Sequence, residues 1–351
     1  MRNTLFIHFL VLLLTAGCGS GSSKDGAIKI LNVSYDPTRE FYQEYNREFV
    51  QYWSDTHGQK VEILMSHGGS GSQARAVIEG LNADVVTLAL AQDVNALYEQ
   101  SDLLSPDWQS ELPNNSAPYT STIVFLVRKG NPKNIKDWDD LIRDDVQVIT
   151  PNPKTSGAAR WNYLAMWGYA LQHKLGNLDK LSDTAYQAEI NAAESYAKEF
   201  ITQIFRNVPV LDQAARAATN TFAQRGIGDV LINWENEIIL AHKRFGTEEF
   251  DIVIPSISIL AEPTVALVKK NVDLNGSENV AKAYLEYLYS DVGQKLAAKH
   301  YYRPRSQAVL NMYAETFVPI RLFTIDEVFG GWTSANNIHF SQGGVFDTIY
   351  R

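Results

Sequence analysis

The chain has 351 residues, 45% of them hydrophobic and 20% charged, and its 40 acidic against 31 basic side chains give a formal charge of −9. That composition excludes a disordered tail, a collagen-like fibre and a polytopic membrane protein, and the length accommodates two domains with a core each. The acidic balance argues against nucleic acid or anionic lipid as a main partner, and a single cysteine, Cys18, excludes an intrachain disulfide and a cysteine-based zinc site.

At the N-terminus, Arg2 precedes an apolar run from Leu5 to Leu14 interrupted only by His8. A bilayer span needs about 20 apolar residues, so a run this short fits the core of a signal peptide. Thr15-Ala16-Gly17-Cys18, followed by Gly-Ser-Gly-Ser-Ser, resembles a lipoprotein cleavage motif, with Thr15 where that pattern carries Leu. The expectation is a signal peptide over 1–17, lipid attachment at Cys18 and a flexible tether over 18–26. A conventional signal peptide cut near the same place is the alternative, and both readings send the protein out of the cytoplasm.

From residue 28, short β-rich runs alternate with amphipathic stretches. Strands are predicted at 28–33, 61–65, 83–88, 123–127, 146–150, 251–254 and 264–268, and helices at 37–53, 73–81, 158–173, 185–205 and 280–288. The first helix is marked by Phe41, Tyr45, Phe49, Tyr52 and Trp53 at helical spacing. Such alternation predicts an α/β fold with a largely parallel sheet. Two turn-rich stretches, 112–118 and 256–263, are candidate crossings between lobes. They divide the chain into lobe I, 27–112 with 261–351, and lobe II, 113–260, with a ligand cleft between them.

Three helix starts share one property. Ser34-Tyr35-Asp36-Pro37-Thr38 sets a capping-type Asp36 before a proline suited to a first helical turn. His67-Gly68-Gly69-Ser70-Gly71-Ser72-Gln73 and Asn152-Pro153-Lys154-Thr155-Ser156-Gly157-Ala158-Ala159-Arg160 each join a strand to a helix. Small residues let backbone approach a ligand closely, and helix N-termini present unpaired N–H groups at the positive end of the dipole, so the pattern favours an anion. The glycine-rich turn is neither a Walker A loop nor a hydrolase elbow, because no Gly-Lys-Ser/Thr follows and Ser72 stands where the elbow needs Gly. The seven histidines show no metal-ligand spacing.

The order and wording of these segments resemble the periplasmic sulfate/thiosulfate-binding proteins of bacterial ABC importers, and residues 152–160 match that family's N-P-K-[ST]-S-G-x-A-R signature at every fixed position. The likeness extends through Thr219-Asn220-Thr221-Phe222, 225–235, 260–263, 301–305 and 322–332. It implies a two-lobed, type II-like periplasmic binding protein without catalytic residues, cofactor or metal. Such a protein is expected as a monomer that holds sulfate or thiosulfate in the interlobe cleft and delivers it to a membrane ABC permease.

By the same resemblance, the ligand donors are the backbone at Asp36, the backbone and hydroxyl of Ser70, the hydroxyl of Ser156, the backbone at Gly157 and Ala158, one backbone N–H at Ala215, and the indole of Trp234. Relatives carry Ser-Gly-Ala-Arg-Gly where this chain reads Gln213-Ala214-Ala215-Arg216-Ala217, so a differently shaped loop is expected there. Lys154, Arg160 and Arg216 are expected to pair with carboxylates or carbonyls rather than the anion. His67 is expected as a loop or cap residue, Asp36 as the cap of its own helix, and Trp161, Tyr163, Trp167 and Tyr169 as packing. The alternatives are a receptor for phosphate, molybdate or tungstate, or an ester hydrolase, for which no nucleophile–base pair is visible.

Overall fold

The structure, a computed structural model, describes residues 26–350. The segment read as a signal peptide, Cys18, and all of the 18–26 tether but its last residue lie outside the described residues.

Two sheets organise the molecule. The first is built on Ile28–Tyr35, which pairs in parallel with Val61–Gly68 on one side and Val85–Leu88 on the other, while Thr264–Leu267 joins the far edge antiparallel. Val85–Leu88 is buried at every position, as expected of an inner strand covered on both faces. The Arg39–His57 helix buries Phe41, Tyr45, Phe49 and Trp53, one residue per turn along a single stripe, and ends at Gly58 in the left-handed conformation.

The second sheet runs Leu211–Asp212, Val148–Pro151, Val230–Trp234, Ile123–Arg128, Phe250–Val253 in spatial order. Its first three strands are parallel and the remaining pairings are antiparallel. The Gly157–Leu175 helix carries apolar residues all round and is buried almost throughout. It packs on the Gln187–Arg206 helix and on the end of the chain, where Tyr163 makes edge contacts with His339, Phe340 and Phe346. Arg321–Phe323 pairs in parallel with Ile257–Ile259. The C-terminal stretch from Arg321 therefore lies against the second sheet's helices.

The chain passes between the sheets at two paired segments. Ser121 and Ala261 form an antiparallel bridge, each N–H donating to the other's carbonyl at 2.9 Å. Just before it, Tyr119–Thr120 pairs antiparallel with Arg303–Pro304. The predicted strands and helices all occur, with shifted ends: the helix expected from residue 73 begins at Ser70, and the one expected from 158 begins at Gly157. Ala91–Ser101, Ala215–Ala223, Val230–Trp234 and Glu235–Phe245 are elements that the sequence pattern did not mark.

Candidate functional site

Each helix start on the cavity wall begins with N–H groups that the helix itself cannot pair. Tyr35 closes its strand and caps a short 3-10 turn, Asp36–Thr38, that leads into the Arg39–His57 helix. At the second start, Gly69 is the cap, and the helical ladder opens with Ser72 and Gln73 donating to the Gly69 carbonyl at 2.9 Å. The Ser70 and Gly71 N–H groups precede it. Ser156 caps the Gly157–Leu175 helix, whose ladder opens with Arg160 donating to the Ser156 carbonyl, so Gly157 and Ala158 stand free of it. Ala214 caps Ala215–Ala223 in an extended conformation, φ −151° and ψ 164°.

These ends converge. One small cavity is lined by Tyr35, Asp36 and Pro37 from the first start and by Gly68, Gly69 and Ser70 from the second. Ser156, Gly157 and Ala158 come from the third, Ala214 and Ala215 from the fourth, and Ala89 from the end of the inner strand. Six of the seven residues singled out in the sequence thus share one cavity. The seventh, Trp234, stands behind the wall, its ring centred 5.5 Å from that of Tyr35. It is fully buried, and its indole N–H has no hydrogen-bond partner among the described residues.

Both serine hydroxyls are set as donors. The Ser70 oxygen accepts from the Ala89 N–H at 3.0 Å, and the Ser156 oxygen accepts from the Ala159 N–H at 3.4 Å. With one lone pair of each oxygen engaged by backbone, each hydroxyl keeps its proton to donate and one lone pair. Fixed dipoles of this kind, helix ends and hydroxyls, spread an anion's charge without any full positive charge.

No lysine or arginine lines the cavity. Arg160 donates to the Pro153 carbonyl and pairs with Asp93 at 3.2 Å, and Lys154 donates to the Phe340 and Ser341 carbonyls and pairs with Asp347. Arg216 spans Glu40 at 2.9 Å and the buried Glu237 at 2.7 Å. Burial works against the Arg216 charge, but the two carboxylates outweigh it and hold its proton more tightly than usual. Glu237 is pushed up by burial despite Arg216. All three cations are thus spent on carboxylates and carbonyls, as the sequence reading expected.

Two expectations need correction. Asp36 does not cap its helix: Tyr35 occupies that position, no side chain caps the turn, and the Asp36 carboxylate pairs instead with Arg39 at 2.8 Å. His67 is neither loop nor cap but lies within Val61–Gly68, where burial, with Arg39 nearby, pushes its imidazole down to about 4. The loop at 213–217 also avoids the difficulty foreseen for it. None of its residues has positive φ, so alanine costs nothing where relatives have glycine.

The two sides of the cavity touch closely. A Cβ on Gly157 would stand 2.7 Å from the Ala89 Cβ and 3.1 Å from the Ser70 Cβ, and one on Gly69 would stand 2.8 Å from the Thr155 carbonyl oxygen. Trp161 reaches across to donate its indole N–H to the Ala89 carbonyl at 2.9 Å. Ala89, Tyr35, Asp93 and Glu40 escaped the sequence reading because their roles arise only from contacts between distant segments.

Comparison with known proteins agrees with this architecture. The family described as "Bacterial extracellular solute-binding protein" matches residues 31–303. A protein named sulfate-binding protein from Escherichia coli is 56% identical over 92% of this chain and 93% of its own length. A protein named thiosulfate-binding protein from Pseudomonas aeruginosa is 48% identical over 97% of this chain and 98% of its own. Among solved structures, the sulfate-binding protein SubI from Mycobacterium tuberculosis superposes with a TM-score of 0.74 at 30% identity, covering 90% of this chain and all of that one. A two-lobed α/β chain whose cavity lies where its helix N-termini meet, the protein belongs to the bacterial extracellular solute-binding proteins.

Proposed function

We propose that the protein is a non-enzymatic receptor that captures sulfate, and thiosulfate as a variant cargo, between its lobes and hands it to a membrane ABC permease. One observation carries this reading: donors converge on the cavity from four helix starts while every nearby cation is already paired. Sulfate would accept from the backbone at Asp36, Ser70, Gly157, Ala158 and Ala215, from the Ser70 and Ser156 hydroxyls, and from the Trp234 indole. The relatives named for sulfate and thiosulfate support the same class of cargo.

Sulfate near neutral pH has no proton, so all its oxygens accept. Hydrogen phosphate brings a proton that needs an acceptor, and the one carboxylate on the wall, Asp36, gives one oxygen to Arg39 and would have to turn the other onto the ligand to supply it. Burying that proton unpaired costs about 1–3 kcal/mol, and sites built for one donor pattern reject the other. Calorimetry against sulfate, thiosulfate, phosphate and molybdate tests the assignment. Sulfate is expected to bind far more tightly than phosphate at pH 7, and equal affinities for the two would make the protein a phosphate receptor instead.

Lobe limits are best drawn at the Ser121–Ala261 bridge, with 27–120 and 261–304 in one lobe and 122–260 with 321–350 in the other. The strand pairing of Arg321–Phe323 and the packing of Phe346 on Phe205 favour this division over a boundary at 112 and a C-terminus wholly in the first lobe. The receptor works as an exported monomer. Among the described residues no helix is long and apolar enough to cross a membrane, and attachment through Cys18 would hold it at one. Cys18→Ser should then release the protein to the soluble exported fraction, and a wild-type protein already soluble there would remove the anchor.

A further inference from the structure

A second cavity, of about 150 Å³, lies back to back with the first. Ala89 lines the anion cavity, and Ala91, two residues along the chain, lines this one. Aromatic rings run between them. Trp234 meets Trp161 edge-on with centroids 6.4 Å apart, and Trp161 meets Trp332, a wall of the second cavity, edge-on at 4.6 Å. Its walls come from both sides of the molecule: Thr264 starts an edge strand of the first sheet, whereas Ile325 and Trp332 follow the strand that pairs beside the second.

Its chemistry differs from that of the anion cavity. Thr264 is 3% exposed and its hydroxyl has no hydrogen-bond partner among the described residues, a costly state that a bound hydroxyl would relieve. Asn95 spends its oxygen on the Trp108 indole at 2.9 Å, which leaves its amide N–H groups to donate. Glu262 spends one oxygen on Arg305 at 2.6 Å, which meets its charge and leaves the other oxygen to accept. The rim adds the Gln109, Asn114 and Asn115 amides. Asn114, Asn115 and Ser116 hold φ of 55°, 55° and 58°, a strained run pinned by the Ser116 hydroxyl donating to the Trp108 carbonyl.

Two carboxylates, Glu262 and Asp326, lie on its walls with no lysine or arginine among them, which disfavours an anion. Glu262 is already neutralised, and Asp326, the other carboxylate, sits in solvent on the rim, so a cation is not required either. What matches is a molecule with donors and acceptors around an apolar skeleton that can rest on Ile325 and Trp332. We propose that this cavity is a second ligand site for a small uncharged polyhydroxylated molecule. Held by both lobes, its occupant favours the same closed arrangement as the anion. The coupling rests on the receptor reading above, whereas the site itself does not.

Titration of the intact protein with myo-inositol and with D-glucose, by calorimetry and ligand-observed NMR, tests it. One of the two is expected to bind the wild type, and roughly fivefold or more weaker to Thr264→Val, which loses one hydroxyl bond while binding sulfate as before. Should Thr264→Val fold poorly, Gln109→Ala on the exposed rim gives the same readout. At saturation the polyol should tighten sulfate binding severalfold, and sulfate should tighten the polyol by the same factor. Failure of both polyols to bind, undiminished binding to the variants, or binding of ethanolammonium chloride alone overturns the site, and polyol binding without effect on sulfate overturns the coupling. Polyol binding by a protein that does not bind sulfate at all would sink the receptor reading and leave the second site standing.

Discussion

The wall of the anion cavity and the seam of contacts around it are made from the same loops, yet they divide the electrostatic labour. Ser156 and Gly157 turn neutral donors inward, while Arg160, one turn further along their helix, reaches outward to Asp93. Ala215 starts a helix at the cavity, and its neighbour Arg216 bridges Glu40 and Glu237. Full charges are thus kept where they meet opposite charges, and partial charges where a ligand must come and go. A cation facing an empty cavity would have to be desolvated without a partner whenever the anion left, whereas N–H dipoles bear that state at lower cost.

Five measurements would break or sharpen this division. The largest effect is expected for Arg216→Met, which strands the buried Glu237. Stability in denaturant should fall by about 3–5 kcal/mol, while the variant that remains folded should bind sulfate within about a factor of ten of wild type. Loss of sulfate binding at unchanged stability would make Arg216 part of the site and erase the distinction. Next is Ser70→Ala, expected to weaken sulfate binding by about 1.5–3 kcal/mol through one bond to a charged group. Ser156→Ala should cost less than Ser70→Ala, because the Ala159 N–H it leaves behind was held at 3.4 Å and the Ala89 N–H at 3.0 Å.

Gly157→Ala probes the contact between the two walls. Its new methyl meets the Ala89 methyl at 2.7 Å, an overpacking worth about 1–3 kcal/mol. That cost should appear in sulfate affinity and leave the melting temperature of the ligand-free protein unchanged, since open lobes avoid the clash. The smallest effect is expected from pH. His67 holds its pKa near 4, so it stays neutral from pH 8 down to 6, and sulfate affinity should be flat across that window. Stability behaves otherwise. The unfolded chain takes up the His67 proton below about pH 6.5 and the folded one only near 4, so the protein loses stability as pH falls between those values.

Much of this was legible in the sequence, because strand–small-residue–helix junctions are local. The segments 67–73 and 152–160 could be singled out from neighbouring residues alone, whereas Ser70, Ser156 and Gly157 within them came with the family resemblance. Their helix boundaries were misplaced by up to a turn, since Ser70-Gly71-Ser72 has the composition of a loop and forms the first turn of a helix. Asp36 was misread for a related reason: the strand runs on to Tyr35 and takes the cap position, which frees the carboxylate for Arg39. Contacts across large separations left no local trace. Glu40 and Arg216 lie 176 residues apart, and neither sits in a pattern that names the other. The C-terminal stretch was placed by continuity with Thr264–Leu267, but short helices with few apolar residues gave no sign that Phe346 would rest on Phe205.

The paired bonds between Ser121 and Ala261 have a kinematic consequence. Two strands tied side by side cannot slide or twist independently, so the lobes retain little beyond one rotational degree of freedom about that bridge. The link from Pro304 to Arg321, which also runs between the lobes, is longer and is packed through Val309 and Phe317 onto Ala298. Along a single angular coordinate every donor on one wall separates from the anion together, with no route that peels them away in turn. Escape of the cargo would then be one concerted event, its rate set by how often the hinge opens.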